Sequence, residues 1–214
     1  MDWSQFVIAL GSLGTFGTVL ILAYIEIIRP WLNAPQLKID FEQKEPYCKE
    51  IGWIFKDSQG NIVRTPSYWI RIKVTNIGSS VAENCYGQLT EIIDHRKGIV
   101  ENFVPLILRW SSRPSIDPID IVEETSWFLD IIHINKDNNK VRGIFGSTYS
   151  NKAHICEIYR EQPTGTKKEL RTGKYTLKIM VYGDNIKPVK KELYVNWGGN
   201  WKAHGRDSII VKMK

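Results

Sequence analysis

Residues 6–25 read FVIALGSLGTFGTVLILAYI, twenty positions without a formal charge. A helix rises ~1.5 Å per residue, so such a run matches the ~30 Å hydrocarbon core of a bilayer. Trp3 and Trp31 bracket it, and indoles favour the two membrane interfaces. Glu26 stands at the end of the run, where a carboxylate reaches interfacial water. Pro30 is a natural helix terminator. The opening MDWSQ holds no Lys or Arg and no small-x-small cleavage site follows the apolar run, unlike a cleaved signal peptide. The pattern predicts a flank over 1–5, a retained transmembrane helix over 6–29, a linker over 30–36 and one domain over 37–214.

Lys and Arg near a span set its orientation. The N-terminal flank has none, whereas Arg29, Lys38 and Lys44 follow the span. This predicts a single-pass protein of the cell membrane with its soluble domain in the cytoplasm. Cys48, Cys85 and Cys156 are odd in number and widely spaced, as expected of reduced thiols. None of the twelve Asn starts an N-x-[ST] sequon. Within the span Gly11, Gly14, Thr15 and Thr18 share one helical face. Small residues let two backbones approach closely, so this face is the expected helix–helix interface of a homo-oligomer.

Beyond the linker the periodicity changes from helical to two-residue. Tyr68, Ile70, Ile72 and Val74 alternate with polar residues, as do Tyr175, Leu177, Ile179 and Val181. Both sets are expected to face a common core. Further short runs rich in β-branched and aromatic residues include VPLILRW, SWFLDIIHI, HICEIYRE, VKKELYVNW and DSIIVKM. Turn signals such as RPSIDP, KDNNK and YGDN separate them. The expected fold class is all-β, a two-sheet sandwich behind an N-terminal helix.

Two passages carry a family resemblance. YWIRIKVTNIGSSVAENCYGQL resembles the strand–turn–strand of immunoglobulin-like modules of the CARDB and fibronectin type III kind, in which a strand ends in Asn-x-Gly. LRTGKYTLKIMVYGDN resembles their late core strand. The resemblance implies an immunoglobulin-like sandwich in which Tyr175 takes the tyrosine-corner place, its hydroxyl bonding back to the backbone. The Cys…Trp…Cys pattern of antibody-type domains is missing. The whole chain is also similar to single-pass prokaryotic membrane proteins with one helix and one such sandwich, a likeness that implies no activity.

Catalytic and cofactor motifs are sparse. The chain contains no G-x-S-x-G, P-loop, H-E-x-x-H or G-x-G-x-x-G. His154 and Cys156, with Cys48 and Cys85, match no zinc-finger or ribbon spacing. Asp130 and His133 fall on opposite faces of a regular strand, which separates them as partners in catalysis. Asp184 and Asn185 fit a hairpin turn better than a calcium site. Asp117, Asp120, Glu123 and Glu124 read as a solvated loop. No catalytic residue, metal or cofactor is therefore expected, and the chain reads as a non-enzyme.

The formal charge is +6 over 214 residues, and the excess lies in the last third. Lys167, Lys168, Arg171, Lys174, Lys187, Lys190 and Lys191 flank the late hairpin. A solvated basic surface ranks first, attraction to anionic headgroups second and nucleic acid third. In the third case Tyr175, Tyr182, Tyr194, Trp197 and Trp201 would stack on bases. The functional expectation is a membrane-tethered interaction module acting through its sandwich on a protein partner or on itself, as a homo-oligomer. The alternative is a membrane effector whose oligomerised helices perturb the bilayer when the soluble domain senses a signal.

Overall fold

The computed structural model describes residues 17–29, 33–56, 61–99, 103–111, 113, 116–135, 153–155, 169–170, 172–199, 207 and 209–214. Residues 17–29 are helical, with π-type turns over Tyr24–Ile28. Among the described residues no helix is long and apolar enough to cross a membrane. Residues 6–16 of the expected span lie outside them.

The remainder is strand and loop. In chain order the strands are β1 (Leu37–Asp40), β2 (Cys48–Lys56), β3 (Ile62–Asn76), β4 (Ala82–Asp94), β5 (Gly98–Ile99), β6 (Leu106–Leu108) and β7 (Ile119–Ile121). They continue as β8 (Ser126–Asn135), β9 (Ala153–Ile155), β10 (Glu169–Leu170), β11 (Gly173–Tyr182), β12 (Val189–Trp197) and β13 (Ile209–Met213). One sheet runs β1-β3-β8-β9-β10, with β2 also on β3. The other runs β13-β12-β11-β4, and β5, β6 and β7 also pair with β4. The assigned strand pairings are antiparallel. The architecture is an all-β, two-sheet sandwich.

The alternation read from the sequence sets the faces of both sheets. Tyr68, Ile70, Ile72 and Val74 are buried, as are Tyr175, Leu177, Ile179 and Val181. They belong to one core cluster with Leu89, Ile92, Leu129, Leu193 and Val195. Gly87 on β4 belongs to the same interface. A Cβ there would collide with Leu129 Cδ2 of the facing sheet, so the leucine occupies the space that glycine leaves.

Two features depart from plain alternation. Trp69, on the outer face of β3, is 5% exposed. It stacks on His133 at 4.8 Å and carries Arg109 over its ring at 5.2 Å. On β8 the register slips opposite the Ile70/Arg71 step: Ile70 pairs with Ile132 and Arg71 with Asp130. This bulge takes up Ile131 and returns Asp130 and His133 to the same outer face. The opposite placement expected for a regular strand is corrected accordingly.

The sheets are joined along both flanks. After pairing with β4, β6 continues across to β8: Asp130 N–H donates to Arg109 O at 2.9 Å and Ser111 N–H to Phe128 O at 2.7 Å. On the other flank Gln43, between β1 and β2, bonds to β13. Truncating the core tests this packing. Ile72→Ala and Ile179→Ala should each cost about 2–5 kcal/mol in denaturant unfolding, and Gly87→Val about 1–3 kcal/mol through overpacking; losses near zero would place these residues outside the core.

Candidate functional site

Among the described residues, a dense set of specific bonds lies where the chain enters the sandwich. Asn33 N–H donates to Arg29 O at 3.0 Å, an i→i−4 bond. Three residues later the chain is pinned. Gln36 N–H donates to Asn76 Oδ1 at 3.2 Å, and Gly78 N–H donates to the same oxygen at 3.0 Å. Asn76 Nδ2 donates to Ser80 O at 2.7 Å and to Ile121 O at 2.9 Å. A carboxamide offers two acceptor lone pairs and two hydrogens, and all four are used. Its backbone is engaged as well, with Asn76 N–H on Thr125 O and Glu124 N–H on Asn76 O. Ile77 N–H donates to Gln36 O at 2.8 Å. Gly78 is required by close approach: a Cβ there would collide with the Gln36 backbone nitrogen and lie 2.6 Å from Ala34 O. The Asn-x-Gly signal seen in the sequence is therefore a docking cradle for residues 34–36.

Beside this cradle the β11–β12 turn is tied to the start of β4. Asp184 N–H donates to Glu83 O, and Asn185 exchanges bonds with Glu83 N–H and Val81 O. Asn84 donates its backbone N–H to Asp120 and its side-chain amide to Asp184. Asp184 and Asn185 act as turn residues, as expected. Cys85 lies beneath; burial first, then the charges of Asp120 and Asp184, pushes its thiol up to about 12. Burial pushes the Cys48 thiol up to about 11. Both remain protonated at neutral pH, so neither has the thiolate character of a nucleophile or metal ligand. Cys48 sits on β2 of one sheet and Cys85 on β4 of the other, while His154 and Cys156 lack described side chains. Among the described residues no group of three His, Cys, Asp or Glu is placed to hold a metal ion.

A second cluster sits on the outer face around Asp130, which is 3% exposed. Arg109 Nη2 reaches Asp130 Oδ2 at 2.9 Å, and the Ser111 hydroxyl donates to Asp130 Oδ1 at 2.5 Å. Both donors belong to the segment that crosses between sheets, so the carboxylate staples that segment to β8. Arg109 in turn lies over Trp69, which stacks on His133. The arrangement neutralises a buried charge and joins strands.

The basic residues expected to form one surface are distributed as follows. Lys187 and Lys190 lie toward the cradle end, where Glu83, Asp120, Glu123, Glu124 and Asp184 are exposed, and Lys191 pairs with Ile179 in mid-strand. Lys174 lies at the opposite end of β11, where its carbonyl accepts from His95 N–H beside Arg96 and Lys97. The eight steps from Lys174 to Tyr182 span ~27 Å at the usual strand rise. Lys167, Lys168 and Arg171 lie outside the described residues. Of the aromatics proposed to stack on bases, Tyr175 and Trp197 are buried in the core, Tyr182 and Tyr194 are half-buried on the outer face, and Trp201 lies outside the described residues. Tyr175 also interacts with Arg96, whose guanidinium is held further toward its charged form by Asp94 first and by Tyr175 after it. Of the helix face, Gly11, Gly14 and Thr15 lie outside the described residues and Thr18 is exposed.

Sequence reasoning identified Asn76 and Gly78 as a turn without their role in holding the incoming chain. It missed the Asp130 staple, whose donors come from nineteen and twenty-one positions away. Comparison with protein-family models, with curated proteins and with solved structures gives no match.

The staple makes a graded test. Asp130→Ala should destabilise by about 3–5 kcal/mol, because it leaves the Arg109 charge without its buried partner. Asp40→Ala, which removes the exposed pair with Lys38, should cost about 0–1 kcal/mol. Equal effects in denaturant titrations would show that Asp130 is not a staple.

Proposed function

We propose that the chain is a membrane-tethered interaction module, anchored by a helix over residues 6–29 and acting through its β-sandwich as a homo-oligomer. The observation that carries this reading is the surface of the helix. Val19, Leu20, Ile21, Leu22, Tyr24, Ile25, Ile27 and Ile28 are 42–69% exposed, and no residue of the π-turn segment is buried. A helix that is apolar all round needs an apolar surrounding, and among the described residues the sandwich does not cover this one. A bilayer does so over the whole uncharged run. Arg29, Lys38 and Lys44 orient the sandwich to the cytoplasm in this reading, and Gly11, Gly14, Thr15 and Thr18 form the contact between copies.

The strand order β1-β3-β8 facing β4-β11-β12 corresponds to the A-B-E and C-F-G arrangement of immunoglobulin-like sandwiches, which supports the fold resemblance. The carboxylates at the cradle end oppose attraction to anionic headgroups, so the tether in this reading rests on apolar burial and the lysines remain a solvated surface. No catalytic role is assigned. The alternative, an effector whose packed helices disturb the bilayer, gains from the cradle. In this reading a chain tied at Gln36 to Asn76, with Asn33 bonded back to Arg29, passes a rotation of the sandwich to the helix, which a slack linker would not.

The full chain should float with zwitterionic liposomes and resist alkaline extraction, and a variant lacking residues 1–29 should do neither. In mild detergent the wild type should sediment as an oligomer that Gly14→Ile weakens without abolishing, because interhelical contacts contribute only ~0.6–2 kcal/mol each. A chain that stays in the aqueous fraction would overturn the anchor, and a monodisperse wild-type monomer would overturn the assembly.

A further inference from the structure

Among the described residues β13 ends the second sheet, with β12 as its strand neighbour. Lys214 N–H donates to Glu192 O at 3.0 Å, which fixes the parity of the ladder. The polar groups of Ile210 and Lys212 point toward β12, and those of Ile209, Val211 and Met213 point to the outer edge. An edge of this kind is a template for another chain's strand. Here a side chain occupies it. Gln43 Nε2 donates to Ile209 O at 2.7 Å, and Val211 N–H donates to Gln43 Oε1 at 2.9 Å. One carboxamide thus supplies the donor and the acceptor that one residue of a neighbouring strand would supply. Gln43 comes from the loop after β1, in the other sheet, so the same contact closes the flank of the sandwich.

We infer that Gln43 is an edge cap, which blocks strand addition at β13 by a second copy of this chain and so keeps self-association away from this edge. The partner excluded is another copy because a tether holds copies side by side at high local concentration, where open edges pair without limit. That argument rests on the proposed anchoring; the cap's geometry does not. Strand addition at β13 needs Ile209 O and Val211 N–H, and both are engaged. Asparagine is one methylene too short to make the two bonds from the same backbone position, and glutamate keeps the acceptor while losing the donor.

The test is sedimentation velocity of the full chain in mild detergent, with amide hydrogen exchange at Val211. Gln43→Ala should speed exchange at Val211 and shift the boundary to larger, concentration-dependent species. Met213→Pro, added to Gln43→Ala, removes an outward N–H that a new strand would use and should return the boundary to the wild-type position. If Gln43→Ala does not fold, Gln43→Leu, which nearly keeps the side-chain volume and makes neither bond, is read in the same way. Faster exchange at Val211 without any change in sedimentation would overturn the cap, as would larger species that Met213→Pro leaves in place. Wild-type protein that needs no detergent would remove the anchor alone, and the same comparison in buffer would still decide the role of Gln43.

Discussion

The carboxamide of Asn76 is fully buried and uses each of its four hydrogen-bonding valences. A buried amide left without partners costs several kcal/mol, whereas one with all partners in place fixes its neighbours. Its neighbours are the incoming chain at Gln36, the turn at Gly78 and Ser80, and β7 at Ile121. β1 then pairs from Leu37 opposite Asn76 itself, so the register of the first strand begins at this residue. Leucine would fill the space and leave two amides and two carbonyls unpaired. Aspartate would accept both N–H groups and donate to neither carbonyl.

From that corner the sandwich is closed along its flanks by polar contacts rather than by apolar area. The core supplies adhesion between sheets, which is non-directional. Direction comes from Asp130, which staples the crossing segment 106–111, and from Gln43, which ties the loop after β1 to β13. Among the described residues, both contacts occur where a strand leaves its sheet or has a strand neighbour on one side alone. At such positions backbone groups would otherwise be unpaired. The same logic separates adhesion from assembly: a capped edge offers fewer unpaired backbone groups to another chain.

The inward faces of β3 and β11 were legible because burial on one side imposes a two-residue period that local sequence carries in full. The helical stretch over residues 17–25 was legible as part of an uncharged run. Three features were not. The bulge at Ile131 inverts the parity between Asp130 and His133, and nothing in SWFLDIIHI marks it. Gln43 is one polar residue in a polar loop, and its partners are more than 160 positions away. The lysines of the late hairpin are neighbours in sequence, yet most of a strand's length separates Lys174 from Lys187 and Lys190. Long-range polar contacts and patches on opposite ends of a strand leave no local pattern.

A pinned junction between helix and sandwich is the central claim, and amide hydrogen exchange of the full chain measures it directly. The Gln36, Ile77 and Gly78 amides all donate within the cradle. Protection at a pinned junction approaches that of the core strands and is lost when the cradle's acceptor is removed. The account predicts slow exchange at all three amides in the wild type and fast exchange at Gln36 and Gly78 in Asn76→Ala, with β11 still protected. Fast exchange at Gln36 in the wild type, like that of an unrestrained linker, would contradict it.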